Sequence, residues 1–466
     1  MLEEYPIQGR RAADISASVE RAVGSGELEP GAVLPPMREL AERLAVNPNT
    51  VAAAYRTLRE RGVIETHGRR GSRVRARPAT TGREFIRVEV PDGVRDAAAG
   101  NPDPALLPAL GPAFAWAAAQ ADRRPVLYGD DPVEPELERL ARAELAADGV
   151  PDGPLAVTSG SLDAIERVLA AHLRPGDTVA VEDPGWGALL DLVPALGLRT
   201  VPVRLDDDGP LPDDVARALD GGARALVVTG RAQNPTGAAI GAERARGLRA
   251  VLRRHPGTLL IEDDHGHRIV DLPLHPLVGA TTHWALVRSA AKAYGPDLRL
   301  AVLTGDTVTL DRVRGRQRLG PGWVSRITQR AVARLWADGA VDVRAVAASY
   351  GARRDALIAA LAERGVAAHG RSGMNVWVPV PDETGAVARL LHAGWAVAPG
   401  ARFRLAAPPG IRITVSGLGG GSGASGVGAG SGPGVGPGVG SVSAEVAALA
   451  DEVAAAVRAT AGRGAV

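Results

Sequence analysis

The sequence predicts an α/β protein with a mostly parallel sheet and flanking helices, preceded by a small helical module. Short apolar runs alternate with helical patterns, at 155–157, 179–181, 225–228, 259–261, 285–287 and 300–303. Buried parallel strands have this continuous apolar character, and their alternation with helices is typical of βαβ units. Polar motifs directly follow most of the runs. In open α/β sheets, ligands bind at these carboxyl ends of the strands.

The composition is that of a globular protein. The chain has 466 residues, of which 45% are hydrophobic and 23% charged, with no Cys and a net charge of +1. This balance excludes wholesale disorder, and the lack of Cys excludes disulfides, cysteine nucleophiles and thiolate metal sites. The start MLEEYPIQGR lacks the apolar segment of a signal peptide, and no apolar run approaches the length of a membrane span. We therefore expect a cytoplasmic protein with no membrane partner and assign no metal site.

The lysine count is the most informative part of the composition. Of 54 Lys and Arg residues, only Lys292 is a lysine. Arginine replaces lysine readily at a surface, but a guanidinium group cannot form a Schiff base, whereas a lysine amine can. Lys292 is therefore either retained for covalent chemistry or present by chance. The residues around it in the sequence distinguish between these two interpretations.

Composition shifts along the chain predict four parts. They are a first domain over 1–77, a linker over 78–98, a large α/β domain over 99–330 and a small C-terminal α+β subdomain over 331–466. The Gly/Ser-rich tract 417–440 can bury no core and is predicted to be a flexible insertion in a surface loop. A helical apolar pattern returns from about Ala444 to Ala459.

The sequence of the first domain predicts two short helices and a two-stranded wing. The first helix follows Pro35-Pro36, and its apolar face is formed by Met37, Leu40, Ala41 and Leu44. Asn47 would cap a second helix that begins at Pro48. In that helix the inward residues are Val51, Tyr55 and Leu58, and the outward ones Asn49, Thr50, Ala53 and Thr57. Eight Arg against two Glu between Arg56 and Arg77 indicate an anionic partner.

The segment LPPMRELAERLAVNPNTVAAAYRTLRERGVIETHGRRGSRV resembles the winged helix-turn-helix of GntR-type transcription regulators. This resemblance implies a double-stranded DNA operator as partner. It implies DNA contacts by Arg38, Asn49, Thr50, Arg69, Arg70 and Gly71. The alternative is that the arginines only solvate a small domain.

The neighbours of Lys292 point to pyridoxal phosphate (PLP). Ser289 lies three residues before Lys292 and Arg299 seven after it. A lysine that binds PLP needs a hydroxyl and a cation nearby for the phosphate, and this spacing supplies both. Upstream, VTSGSLDA predicts a strand, a tight turn and a helix whose first N–H groups, at Gly160 and Ser161, would bind the phosphate. An ordinary βα connection has the same pattern.

Three further motifs follow predicted strands. Trp186 in EDPGWG is placed to stack on a pyridine ring, although a core role is common for Trp. Asn234 in NPTG offers a donor to the phenolic oxygen of the cofactor. Asp263 in IEDDHGH would keep the pyridine nitrogen protonated, which makes the ring an electron sink, or would cap the next helix.

Residues 99–416 as a whole resemble fold-type I aminotransferases of class I. The resemblance implies that Lys292 is the catalytic Schiff-base lysine. The residues implied to bind PLP are Lys292, Asp263, Asn234, Trp186, Gly160, Ser161, Ser289 and Arg299. Tyr128, in LYGDDPVEPEL, resembles the tyrosine that reaches the phosphate of a neighbouring subunit, which implies a homodimer. Arg412, in GIRITVS, matches the arginine that binds a substrate carboxylate, unless it is a surface residue at a strand edge.

His265 departs from the family pattern. Family members usually have Tyr at this position, donating to the phenolic oxygen, and an imidazole would make the same bond. We therefore expect His265 to bind the cofactor, and the exchange puts transaminase turnover in doubt more than cofactor binding. The sequence leaves open whether the protein is an enzyme.

A GntR-type DNA-binding domain joined to an aminotransferase-like domain is the architecture of MocR-type regulators. The phrase GNPDPALLPAL resembles the start of the second domain in a branch concerned with vitamin B6 control. The sequence therefore predicts a PLP-dependent transcription regulator that senses an amino compound or the B6 vitamer itself. Two alternatives stay open: an active aminotransferase with an autoregulatory DNA-binding module, and a DNA-binding protein whose second domain only dimerises.

Overall fold

A computed structural model describes most of the chain, in two compact units. The described residues are 7–24, 27–29, 31–60, 63–66, 71–74, 83, 89–419 and 439–461. One unit contains residues 1–82 with 173–178 and 191–200, and the other contains 83–172, 179–190 and 201–466. Among the described residues, no helix has the length and apolar character to cross a membrane.

Helices and strands alternate along most of the chain. In the described residues the helices are α1 (Ala12–Gly24), α2 (Met37–Arg43), α3 (Pro48–Glu60), α4 (Gly111–Arg123), α5 (Pro135–Ala147), α6 (Ser161–His172), α7 (Gly187–Ala195), α8 (Pro212–Asp220), α9 (Ala242–Arg254), α10 (Ala291–Tyr294), α11 (Thr307–Arg318), α12 (Arg326–Ala337), α13 (Val343–Glu363), α14 (Glu383–His392) and α15 (Val439–Ala461). The strands are β1 (Ile64–Thr66), β2 (Ser72–Val74), β3 (Arg95–Ala97), β4 (Leu155–Thr158), β5 (Thr178–Asp183), β6 (Arg199–Asp206), β7 (Gly209–Pro210), β8 (Ala225–Thr229), β9 (Leu259–Asp264), β10 (His283–Ser289), β11 (Ala301–Gly305), β12 (Asn375–Pro379), β13 (Trp395–Pro399) and β14 (Gly410–Thr414).

The N-terminal helices and ribbon form the predicted winged helix-turn-helix. The side chain of Asn47 accepts a hydrogen bond from the backbone N–H of Asn49 at 2.8 Å, so the predicted cap of α3 is present. The inward residues of α3 are buried, and the Tyr55 hydroxyl donates to the Pro35 carbonyl at 2.8 Å. Strands β1 and β2 pair antiparallel.

One expectation about α2 is wrong. Met37 was expected on the buried face with Leu40 and Ala41, but its side chain is 43% exposed. Met37 is the first residue of a seven-residue helix, and burial of this helix begins one turn later. The apolar spacing therefore predicted the helix correctly, but not the residue at which its buried face begins.

The central sheet confirms the six predicted strands. It has eight strands in the order β4-β11-β10-β9-β8-β5-β6-β7. The neighbouring strands β5, β8, β9 and β10 pair parallel to one another, as expected from their continuous apolar runs. Strand β11, however, runs antiparallel to both β10 and β4. Only eleven residues connect β10 to β11, which is too short for the crossover of about a dozen or more residues that a parallel return requires.

The smaller sheet is formed by three strands from the C-terminal part of the chain and by β3, which precedes the central sheet in the sequence. Its order is β12-β14-β13-β3, and β3 pairs parallel with β13. Helices α13 and α14 pack on this sheet, and α15 packs on both helices. Strand β3 lies within the range 78–98 that we predicted as a linker. A three-residue strand with one buried side chain has no periodic signal in the sequence.

Candidate cofactor pocket and DNA-binding surface

A cavity of about 390 Å³ opens at the carboxyl ends of the central strands. The connection from β10 to β11 forms one side of the cavity. Nine of the residues predicted to bind cofactor or effector line the cavity: Ser161, Trp186, Asn234, Asp263, His265, Ser289, Lys292, Arg299 and Arg412. Gly160 adjoins Arg299, whereas Tyr128 is not among the lining residues.

Lys292 is the second residue of α10 and is partly buried in this cavity. Its ammonium Nζ donates to the carbonyl oxygen of Gly100 at 2.7 Å. Burial, and then the positive charge of Arg412, lower the pKa of Lys292 to about 8. The unprotonated amine, which a nucleophile requires, is therefore more abundant near neutral pH than in an exposed lysine.

Asp263 lies near the end of β9 with one oxygen paired and one free. Its Oδ2 is 2.9 Å from Nδ1 of His265. Its Oδ1 is buried and has no hydrogen-bond partner among the described residues. Buried polar atoms are normally paired, so this orphaned oxygen indicates that a donor from a ligand completes the site.

His265 does not have the free nitrogen that we expected it to offer to a phenolic oxygen. Nδ1 contacts Asp263, and Nε2 lies 2.8 Å from the carbonyl oxygen of Ala232. Both ring nitrogens are therefore occupied within the chain. The imidazole lines the cavity but cannot replace the family's tyrosine in that bond.

The Gly160 turn and Arg299 form the cationic end of the cavity. Gly160 takes φ +97°, and a Cβ there would lie 2.6 Å from Nη2 of Arg299, so only glycine allows this approach. Helix α6 begins at Ser161, whose buried hydroxyl has no partner among the described residues. A helix N-terminus, a free hydroxyl and a guanidinium together suit a phosphate.

Arg412 on β14 forms another cationic side of the cavity. It is 3% exposed, which excludes the alternative of a surface arginine at a strand edge. Its Nη1 donates to Oδ1 of Asn234 at 3.0 Å, and Nη2 donates to the carbonyl oxygen of Ala98. Burial, and then the charge of Arg402, lower the pKa of Arg412 to about 9. No carboxylate of the described residues pairs with this cation, so an anionic ligand group would be strongly favoured here.

The arrangement fits a phosphorylated pyridine aldehyde. The amine suits an aldehyde, the free carboxylate oxygen a protonated ring nitrogen, and the Gly160–Arg299 end a phosphate. Asn234 uses its amide oxygen for Arg412, which leaves its amide N–H groups for an oxygen on the ring. Trp186 lies at the start of α7, with its indole on the cavity wall.

Tyr128 lies away from the pocket of its own chain. Its side chain is 96% exposed and meets Trp323 edge-on, with ring centroids 5.7 Å apart. Leu127 and Leu319 are also exposed, at 67% and 91%. The role of Tyr128 in a neighbouring subunit stays a prediction.

Sequence reasoning missed the contribution of the segment 98–101. Gly100 lines the cavity with φ +71°, and a Cβ there would lie 2.8 Å from Nη2 of Arg412. The signal available in the sequence was Gly100 before Asn101-Pro102, a turn pattern that could not show what the turn approaches.

A larger cavity of about 520 Å³ lies elsewhere in the same unit, and its charged groups are satisfied within the chain. Asp214 there pairs with Arg204 and Arg217, and Asp207 with His369. The smaller cavity, with its orphaned polar atoms, is therefore the better candidate for the ligand site.

The predicted DNA contacts that the structure describes are accessible. Arg38 near the start of α2 and Asn49 near the start of α3 are exposed, and Thr50 is half-buried. Gly71 is exposed at φ +82°, just before β2. Arg69 and Arg70 lie outside the described residues. The first turn of α3 thus presents small polar side chains, as a recognition helix does.

Comparisons with known proteins agree with both halves of this description. Residues 98–419 match the family of class I and II aminotransferases, and residues 11–74 match the bacterial regulatory proteins of the gntR family. The chain is 40% identical over 418 residues to the vitamin B6 salvage pathway transcriptional repressor PtsJ of Salmonella typhimurium, covering 88% of this chain and 96% of that one. It is 29% identical to the pyridoxine biosynthesis transcriptional regulator PdxR of Corynebacterium glutamicum, over 71% of this chain and 74% of that one.

Solved structures show the same fold. A mutant aspartate aminotransferase of Thermus thermophilus superimposes with a TM-score of 0.65 at 24% identity, covering 79% of this chain and 97% of that one. The fold and the pocket define an aminotransferase-like protein with a DNA-binding domain, and the chain belongs to the family of class I and II aminotransferases. With a gntR-type domain at its N-terminus, it is a transcription regulator of the MocR type.

Proposed function

We propose that the protein binds PLP at Lys292, binds a double-stranded DNA operator through α3 and the wing, and changes its operator affinity with the state of the pocket. The supporting observation is that the one lysine of the chain lies in a cavity suited to PLP, on a chain with a DNA-binding domain. The names of PtsJ and PdxR, which refer to vitamin B6 and pyridoxine, favour the B6 vitamer as effector over another amino compound.

Each pocket residue has a distinct part in holding the cofactor. When bound, PLP supplies an aldehyde for an amine and an electron-withdrawing ring. Lys292 would offer the nucleophilic amine, and Asp263 Oδ1 would accept a hydrogen bond from the protonated ring nitrogen. Ser161, Ser289 and Arg299, with the backbone at Gly160, bind the phosphate, while Trp186 covers one face of the ring.

The pocket supports sensing better than turnover. Arg412 would bind the carboxylate of an amino acid, as in an aminotransferase, but it also suits another anionic group of the effector. His265 gives both of its nitrogens to Asp263 and Ala232, so the phenolic oxygen lacks the donor that the family usually supplies from this position. For these reasons the alternative of an active aminotransferase is not favoured.

We further propose a homodimer in the cytoplasm. Exposed Tyr128 and Leu127 would contact a second copy, and Tyr128 would reach the phosphate of that copy's cofactor. A two-fold dimer would present two winged domains to a two-part operator, so a change in the dimer would alter operator affinity.

A DNA-shift assay tests this function. The probe is a fragment that the wild-type protein selects from a random pool, and shifts are measured with and without PLP beside an absorbance spectrum of the same sample. We expect Asn49→Ala to weaken binding by roughly tenfold or more, the usual effect of one lost base contact, while the absorbance of bound PLP is unchanged. Arg139→Ala, which removes an exposed cation from α5, serves as the control and should match the wild type. Operator affinity that does not respond to PLP would contradict the proposed function.

A further inference from the structure

We infer that His265 is a positioning residue that keeps Asp263 ionised and aligned for the ring nitrogen of the cofactor. The first observation is the hydrogen-bond pattern of the imidazole. A carbonyl oxygen only accepts, so Nε2 must carry a proton to bond Ala232. If Nδ1 were unprotonated, its lone pair would face Oδ2 of Asp263 at 2.9 Å, which is repulsive. A proton therefore lies between Nδ1 and Oδ2.

We assign this proton to Nδ1, which makes the pair an imidazolium beside a carboxylate. Burial acts to lower the pKa of His265, but the charge of Asp263 and its hydrogen bond outweigh burial and raise that pKa above its ordinary value. The other charged groups that act on this region are Lys292, which opposes the protonated imidazole, and the buried Glu182. The imidazolium would donate to Oδ2 of Asp263 and leave Oδ1 to accept a bond from a protonated ring nitrogen.

The geometry assigns one task to each oxygen of Asp263. Oδ2 is held by the imidazole, which fixes the plane of the carboxylate, and Oδ1 is the buried atom without a partner. The same imidazole is anchored at its far side by the Ala232 carbonyl, so it cannot turn away. This inference rests on the proposed binding of PLP, but it concerns a residue whose expected role in the sequence was a different one.

Spectra of bound PLP against pH test this pairing. We compare the wild type with His265→Phe, which removes the bond, and His265→Asn, whose amide keeps a donor for Asp263. His369→Phe is the control, because His369 also pairs with a carboxylate, Asp207, but lies in the other cavity. We expect His265→Phe to weaken PLP binding by roughly tenfold or more, the range for a hydrogen bond to a charged group, and His265→Asn to restore most of it.

The dependence of PLP absorbance on pH distinguishes a positioning role of His265 from a purely structural one. The raised pKa of His265 keeps the proton in place to a higher pH than the ordinary value of 6.5 would allow. The absorbance of bound PLP should therefore change with pH above that value in the wild type and in His369→Phe, and this step should be absent in His265→Phe. Equal affinity and an unchanged profile in His265→Phe would overturn the pairing alone. A wild type that never gains absorbance would overturn the proposed function as well.

A separate observation carries a second proposal, about regulation of the same pocket. We propose that the segment Ala98–Asn101 detects whether the pocket is occupied. Its backbone carbonyls bind two of the pocket cations, since Gly100 accepts from Lys292 and Ala98 accepts from Arg412. The segment directly follows β3, and in the chain it lies between the DNA-binding domain and the rest of the aminotransferase-like domain.

Ligand binding would weaken these two contacts. If the amine of Lys292 condensed with an aldehyde, its two N–H hydrogens would leave with the aldehyde oxygen as water, and Gly100 would lose its donor. An anionic group at Arg412 competes with the Ala98 carbonyl, because bonds between two charged groups are stronger than bonds to a neutral acceptor. Other anchors of the segment remain: Asp96 Oδ1 accepts from the N–H groups of Ala98 and Ala99, at 2.8 and 3.0 Å, and the Asn101 carbonyl accepts from the Ser416 hydroxyl at 2.7 Å.

Hydrogen exchange of those two amides tests the second proposal. Loading the full-length wild type with PLP, verified by absorbance, should speed exchange at Ala98 and Ala99 several-fold, while peptides from β12 stay unchanged. Lys292→Ala should show the faster exchange without PLP, because Gly100 has lost its donor. Unchanged exchange in verified PLP-loaded protein would overturn this proposal, as would equal acceleration in β12. If the wild type gains no absorbance with PLP, the proposed function fails too.

Discussion

Replacing Lys292 by Arg should abolish the covalent attachment of PLP to a side chain of this protein. The substitution keeps the positive charge and a donor for the Gly100 carbonyl, but a guanidinium does not form a Schiff base. We expect the wild type to gain the mass of one reduced cofactor after borohydride treatment and Lys292→Arg to gain none. Operator binding by the variant should no longer respond to PLP.

The single lysine makes a sharp control possible. Adding Arg139→Lys to the Lys292→Arg chain restores one amine on the exposed face of α5, where the Arg139 side chain is 64% exposed. An exposed amine keeps the ordinary high pKa of lysine and lacks the phosphate and ring contacts. This double variant should also remain unlabelled. Equal labelling at residue 139 would show that PLP reacts with any amine, and the pocket assignment would fall.

Replacing Asp264 by Asn should destabilise the aminotransferase-like domain by about 3 kcal/mol, because it removes the buried carboxylate that two buried cations share and leaves them only Asp148. The carboxylate of Asp264 is fully buried next to Asp263 on β9 and pairs with Arg231 at 2.7 Å and with Arg288 at 2.9 Å. Both guanidinium groups are themselves buried, with side chains 7% and 2% exposed. Urea unfolding followed by circular dichroism measures the change.

Asp214→Asn is the matched control. Asp214 also pairs with two arginines, Arg204 and Arg217, but these side chains are 69% and 68% exposed. Water replaces the lost carboxylate there, so we expect a loss within about 1 kcal/mol. If both variants lost the same stability, burial of the arginines would not be the cause.

The acid dependence of the Asp264 network follows from its pKa. Burial alone would raise the pKa of Asp264, but Arg231 and Arg288 outweigh burial and lower it to about 2. The stabilising contribution is therefore complete above the ordinary pKa of 3.8 and is lost as the pH falls towards 2. In Asp264→Asn, that part of the acid dependence should be missing.

Local patterns predicted much of the fold. The six apolar runs are strands because residues buried on both faces of a sheet must be apolar, whatever lies beside them. The cap at Asn47 and the start of α3 at Pro48 depend only on adjacent residues, and both were predicted. The order of the motifs likewise placed Asp263, Ser289 and Lys292 at strand ends, which the topology brings to one cavity.

Other features depend on residues far apart in the chain. Strand β3 is defined by its pairing with β13, about 300 residues later, and its own three residues carry no pattern. The partners of His265 could not be predicted, since the sequence does not show which acceptor the fold brings to the imidazole. The acceptor at Nε2 is the carbonyl of Ala232, 33 residues away in the chain. The contact of Gly100 with Lys292 spans 192 residues and is made by backbone atoms, which the sequence does not distinguish.

The sequence by itself determined which chemical groups this protein has and which secondary structure carries each of them: one amine, a strand-end carboxylate, a glycine turn before a helix, and a DNA-binding motif. Only the tertiary structure decided which of these groups meet, which polar atoms are left without partners, and that the carbonyls of Ala98 and Gly100 bind Arg412 and Lys292. The reason is physical. Helix and strand formation depends on neighbours within a few residues, whereas the pairing of a buried polar atom depends on whatever the fold brings within about 3 Å of it.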